Sequence, residues 1–362
     1  MTLAAYARGR DNNFNLIRFL AAFSVLTTHS FTLATGEWGS EPLRSTLGMT
    51  PGSIAVDIFF IASGFLVTAS LTSRGSLLEF AIARALRIYP ALIAMVAITA
   101  LLGALFSLQP STHYFSDGRF WHYLLKNASL VTGLSNELPG VFTDTPLKGA
   151  INGSLWTLTY EVKMYVALAL LWGMLRALPL PHAKAFKLAV IGITTGAAVL
   201  YVLTVTSDKV DSEMPRLVYM FFSGATFYLL RERIQLSLPL GIGLIAILLI
   251  AASGRNYFFP FYIATLAYIL FCVAYIPAGS IRKFNQLGDY SYGIYIYAFP
   301  IQQALVAAMP GISVFSLFIL EGLQNLPARL PGWDNSDMKQ MSLEAPMYTG
   351  FELRAKRTRK RA

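Results

Sequence analysis

Two ionisable residues, Arg18 and His29, stand inside the first apolar stretch of this chain. Their eleven-residue separation returns both to nearly one face of a helix at about 100° per residue. It also spaces them by roughly 16 Å along the axis. Arg18 then lies near one membrane surface and His29 near mid-membrane, where an ionisable side chain is costly and marks a function. The plainer use of such a histidine is a hydrogen bond to a neighbouring helix. Arg84 and Arg87, spaced i and i+3, share a face of a short helix expected over 79–89 at the membrane surface. Their guanidinium forks can grip phosphates or simply anchor the chain at the headgroups. Asp57 opens the second apolar stretch, ahead of Phe59, Phe60, Ser63 and Gly64. Glu161 lies about one and a half turns inside the fourth, with Thr157 one turn earlier on the same face. Each acid can orient an imidazole or bind hydroxyl groups, and each can equally carry its carboxylate to interfacial water.

The elements that position these residues follow from composition. Of 362 residues, 55% are hydrophobic and 13% charged, against roughly a quarter charged in soluble domains. Mean hydropathy is +0.53, so lipid is the expected solvent. Apolar blocks run over 14–34, 54–71, 88–108, 155–175, 185–205, 217–230, 236–252, 258–276 and 290–309. Backbone polar groups in lipid need internal partners, so these blocks are expected to be helices. The fold class is all-α, a polytopic integral membrane protein of about nine to ten transmembrane helices. The first block is read as a crossing and not as a cleaved signal, because Arg18 and His29 interrupt it.

Orientation comes from the connections. With the N-terminus cytoplasmic, the inner segments hold Arg8 and Arg10; Arg74, Arg84 and Arg87; Arg176, Lys184 and Lys187; Arg231 and Arg233; Arg282 and Lys283. The opposite loops carry Glu37, Glu41, Asp117, Glu137, Asp144, Asp208, Asp211 and Glu213, as the positive-inside rule requires. The net charge of +10 is therefore topological, and no nucleic-acid partner is expected. The stretch 312–320 is short for a crossing, and 323–362 reads as a polar, disordered cytoplasmic tail whose closing basic cluster suits anionic lipid. The single cysteine, Cys272, excludes an internal disulfide framework and a cysteine-based zinc site. His113, His122 and His182 are read as solvated or interfacial. No two-histidine metal spacing, Gly-x-Ser-x-Gly elbow, Walker loop or dinucleotide fingerprint occurs, so no metal is expected.

Five runs in order, 15–22 (NLIRFLAA) with His29, 56–66 (VDIFFIASGFL), 84–90 (RALRIYP), 154–161 (SLWTLTYE) and 290–295 (YSYGIY), together resemble the acyltransferase-3 family of membrane O-acyltransferases. The resemblance spans 11–303. It implies a transmembrane acyltransferase domain over 1–322 in a bacterial inner membrane, with acyl-CoA, acetyl-CoA by default, as cytoplasmic donor. The acceptor it implies is a hydroxyl of an envelope polysaccharide or lipid-linked sugar. The family's functional Arg and His match Arg18 and His29, and its paired arginines match Arg84 and Arg87. Where many members carry a further histidine, this chain reads Ile296, Tyr297, Ala298, Phe299 and Pro300.

The resulting expectation is that Arg18, Arg84 and Arg87 hold the donor's phosphates. His29 then acts as general base, or takes the acyl group itself, with Glu161 or Asp57 orienting it or the acceptor. The loops 35–53 and 109–153 face the acceptor side, with Tyr114, Trp121 and Tyr123 as sugar-stacking or interfacial aromatics. A transporter or flippase for a lipid-linked sugar is the competing reading, with the buried charges lining its path.

Overall fold

A computed structural model describes residues 1–9, 11–131, 133–206 and 213–325. The bundle is carried by helices α1 (Phe14–Thr35), α2 (Pro51–Arg74), α3 (Leu77–Gly103), α4 (Trp156–Ala177), α5 (His182–Thr206), α6 (Glu213–Leu229), α7 (Leu238–Ala251), α8 (Arg255–Tyr275), α9 (Ser291–Ala308) and α10 (Val314–Asn325). Among the described residues, α1 to α5 and α8 are long and apolar enough to cross a bilayer, and strand pairing is limited to two isolated bridges. The chain is a multi-pass, all-α membrane protein. Residue 326 onward, which holds nearly all of the tail expected over 323–362, and Asp208 and Asp211 lie outside the described residues; α10 runs through Asn325.

Local sequence sets the helix ends. Thr50 caps α2 by accepting from the Ser53 amide at 3.0 Å, with Pro51 in the first turn, and Ser76 caps α3. Gly75, at φ +69°, makes the left-handed turn between these helices. The separate surface helix expected over 79–89 is instead the first part of α3. That helix runs on through Pro90, so Arg84 and Arg87 stand in its second and third turns.

Contacts sort the connections onto two sides. At the N-terminal side, the Leu3 amide donates to the Ile234 carbonyl and the Leu236 amide to the Met1 carbonyl. There Asn13 also ties the start of α1 to the end of α8 through the Val273 and Pro277 carbonyls. On the opposite side, Gln303 donates to the Leu147 and Ala150 carbonyls, and Thr32 donates to Glu41. Helices α1 and α9 both run from the N-terminal side outward.

The loop expected over 109–153 contains structure of its own. A helix over Gly118–Ser129 runs back along α3: Tyr114 donates to the Ala100 carbonyl near one end, and Tyr89 donates to the Ser129 carbonyl at the other. Those anchors on α3 are eleven residues apart, about 16 Å of helix. Arg119, His122 and Lys126 break the apolar pattern of this segment, which hides it from a search for twenty-residue blocks.

The tightest seam is α2 on α6. A Cβ on Gly64 would come 1.8 Å from the Phe221 carbonyl oxygen, and one on Gly224 would come 2.0 Å from that of Ile61. Two backbones meet there because neither glycine carries a side chain.

Candidate active site

Asp289, in the turn ahead of α9, joins two of the expected arginines. Its Oδ2 forms an ion pair with Arg18 Nη1 at 2.9 Å and accepts from Arg87 Nη2, while its Oδ1 accepts from the Ser291 hydroxyl at 2.5 Å and the Ser291 amide at 3.2 Å. The trio is largely enclosed, with side chains 18%, 29% and 14% exposed for Arg18, Arg87 and Asp289. Burial works to raise the Asp289 pKa, but the guanidiniums of Arg18 and Arg87 win and hold it well below the usual carboxylate range. Two cations and one anion leave a single net positive charge.

Beside this trio a cavity opens between α1, α2, α4 and α9. Arg18 stands on its wall with Ser63, Thr157, Glu161, Tyr292 and Tyr295. Glu161 accepts from the Ser63 hydroxyl at 3.2 Å and from the Tyr165 hydroxyl. The Tyr165 ring lies 6.0 Å from the Arg84 guanidinium, so the second expected arginine borders the same cluster. Deeper in, Thr157 and Tyr295 share a hydrogen bond of 2.5 Å. Asn152 fixes the start of α4 by donating to the Ile296 carbonyl at 2.9 Å.

His29 does not line this cavity. Its ring stands edge-on to Phe299, centroids 5.1 Å apart and planes at 83°. Phe299 is in turn pressed by Gly153, where a Cβ would come 2.6 Å from the ring. Tyr295 on the cavity wall and Phe299 against His29 are one turn apart on α9, so a single helix face leads from one to the other.

The two acids part company. Glu161 belongs to the cavity. Asp57 is fully buried elsewhere, accepting from the Tyr262 hydroxyl at 2.7 Å and lying 3.4 Å from Arg216, which also pairs with Glu213 at 2.5 Å. The hydrogen bonds of both acids go to these partners. Tyr114 and Tyr123 are wholly buried and unavailable to a sugar; of the three aromatics in that loop only Trp121 is exposed. His182 stands against Trp172 and Phe186, with Nε2 3.2 Å from the Trp172 carbonyl, and is a packing residue. Among the described residues no group of three or more His, Cys, Asp or Glu side chains is placed to hold a metal ion.

The acyltransferase-3 model, an acyltransferase domain, matches residues 11–327. The chain belongs to the acyltransferase-3 family. Membership makes it a multi-pass membrane acyltransferase. It is 27% identical over 314 residues to the O-acetyl transferase of Shigella phage Sf6, covering 82% of this chain and 86% of that one. It is 26% identical over 368 residues to nodulation protein 10 of Rhizobium leguminosarum bv. viciae, covering 94% and 96%. Against the peptidoglycan O-acetyltransferase of Listeria monocytogenes it is 25% identical over 346 residues, covering 82% of this chain and half of that longer protein. No solved structure matches.

The arrangement adds residues to the candidate site that spacing does not reveal. Asp289 meets Arg87 across 202 residues of chain, and Tyr165, Tyr295 and Phe299 are aromatic in helices rich in aromatics. The one available signal is the run at 290–295, which places Asp289 and Ser291 at the edge of a family motif.

Proposed function

We propose that this acyltransferase moves an acyl group, acetyl by default, from cytoplasmic acyl-CoA to a hydroxyl of an envelope polysaccharide or lipid-linked sugar. The observation that carries the reading is the pair of guanidiniums from α1 and α3 meeting at a cavity that α9 continues toward His29. Arg18 and Arg87, with Arg84 nearby, bind the donor's phosphates through charge-assisted hydrogen bonds. The cavity receives the arm that carries the thioester, and its wall of Phe59, Phe60 and Tyr295 excludes water. His29 accepts the proton of the acceptor hydroxyl as its oxygen attacks the thioester carbonyl. The C–O bond forms, the C–S bond breaks, and the thiol leaves with a proton. The relatives named for O-acetyl transfer, one of them to peptidoglycan, support an oxygen acceptor of this class. Ser63 and Tyr165 fix the Glu161 carboxylate toward the cavity, where it positions the reactants.

The test uses the full chain in lipid nanodiscs with labelled acetyl-CoA and candidate glycans, comparing it with His29→Ala and Arg87→Ala. Label is expected to move to glycan in the unaltered protein only. No transfer together with no coenzyme A binding would overturn the reading, and glycan transport that persists in His29→Ala without esterified product would favour a flippase.

A further inference from the structure

We propose that Asp289 is a positioning residue, a fixed anion that spaces the Arg18 and Arg87 guanidiniums for a phosphorylated ligand and stays in place when that ligand binds. The proposal rests on the reading of the cavity as the acyl-donor site. Two guanidiniums brought together from α1 and α3 in a largely enclosed place repel one another, and the low local dielectric magnifies the repulsion. One carboxylate oxygen, Asp289 Oδ2, pairs with both, as an ion pair with Arg18 and as a hydrogen-bonded ion pair with Arg87.

The alternative is that Asp289 is an internal competitor, seated where a phosphate belongs and ejected on binding. Its other oxygen argues against that. Oδ1 is held by both the hydroxyl and the amide of Ser291, at 2.5 and 3.2 Å, and so is built into the first turn of α9. Swinging the carboxylate away would break three hydrogen bonds and an ion pair at once and release the first turn of α9. Asp289 also engages one terminal nitrogen of each guanidinium, whereas each guanidinium offers five N–H donors. The remaining positive charge of the trio still attracts a phosphate. Because Ser291 ties Asp289 to α9, the same carboxylate links the arginines to the helix that carries Tyr295 and Phe299.

The experiment measures coenzyme A binding and donor kinetics for the full chain in phosphatidylcholine nanodiscs, comparing it with Asp289→Asn and Asp289→Glu. The phosphate-free donor acetyl-pantetheine is the second substrate. Asp289→Asn is expected to weaken coenzyme A binding about 10- to 100-fold, raising KM for acetyl-CoA with a much smaller change in kcat. Asp289→Glu, which keeps the charge, recovers part of the affinity. The loss for acetyl-pantetheine is expected to be far smaller than for acetyl-CoA. Coenzyme A binding by Asp289→Asn equal to or tighter than that of the unaltered protein overturns the proposal and leaves the donor site standing. Equal losses for both donors assign Asp289 to folding alone and also overturn it. An effect confined to phosphatidylglycerol nanodiscs assigns the arginines to lipid headgroups and overturns it too. If the unaltered protein binds no coenzyme A, the donor-site reading fails first.

Discussion

His29 stands edge-on to Phe299 at 5.1 Å between ring centroids, and ten residues back along the chain from Phe299 lies Asp289, which holds Arg18. The spacing on α1 from Arg18 to His29 is eleven residues, so the two segments run side by side with matched contacts at both ends. A guanidinium end and an imidazole end are thereby held at a set distance by two packed helices, as a site built on rigid elements requires.

Replacing His29 by Gln keeps the size and polarity of the side chain and removes the basic nitrogen. We expect acyl transfer to fall by about 10²- to 10⁴-fold, the usual contribution of a general base, with coenzyme A binding intact because the arginines lie a cavity's length away. Product analysis and equilibrium binding on the same preparation check this. Loss of binding in parallel with turnover would mean that His29 only packs against Phe299.

The helices are readable in the sequence because lipid leaves the backbone no other choice; the eleven-step spacing puts Arg18 and His29 on nearly one face of α1, and the structure sets the two against Asp289 and Phe299. What spacing lacks is information on partners. Asp57 and Glu161 look equivalent as lone acids in apolar helices, yet Glu161 bonds Ser63 in the cavity while Asp57 bonds Tyr262 and faces Arg216. Asp289 is equally invisible, since its partners lie on α1 and α3. The Gly118–Ser129 helix escapes notice for another reason: it is short and carries charge, and it packs by its Phe120 and Tyr123 face alone.

Gly64→Ala and Gly224→Ala each place a methyl group inside 2.0 Å of, or at that distance from, a carbonyl oxygen across the α2–α6 seam. Overpacking of this kind costs about 1–3 kcal/mol or more, so both variants are expected to unfold at clearly lower temperature or to accumulate poorly. Gly192→Ala and Gly196→Ala in α5 meet nothing within 4 Å and are expected to gain up to about 1 kcal/mol from helix propensity. Thermal unfolding in nanodiscs separates the pairs; similar shifts for all four would refute a backbone-contact seam.

The pH dependence of Asp289 has a defined sign. Its folded pKa lies below the value of about 3.9 for an unfolded aspartate, so its stabilising effect is complete above that unfolded value and fades as pH falls toward the folded one. The unfolding-temperature gap between the unaltered protein and Asp289→Asn should therefore be level from about pH 6 to 8 and shrink below about pH 4. A gap that grows on acidification would contradict a carboxylate held by two arginines.

The Asp57 cluster predicts unequal effects from its two ends. Arg216 keeps a second partner, Glu213 at 2.5 Å, when Asp57 is neutralised, and Glu213 is 43% exposed and reaches water. Asp57 has no such recourse: it is fully buried, and without Arg216 only the Tyr262 hydroxyl remains to it. Removing one member of a buried pair costs about 3–5 kcal/mol because a charge is stranded. Arg216→Met is therefore expected to lower the unfolding temperature more than Asp57→Asn does. Adding Asp57→Asn to Arg216→Met removes the stranded charge, so the double variant should be more stable than Arg216→Met alone. Thermal unfolding of the four proteins in one lipid gives the coupling directly. Additive losses would show that Asp57 and Arg216 act independently, and acyl transfer that survives in Asp57→Asn would place the pair outside the chemistry.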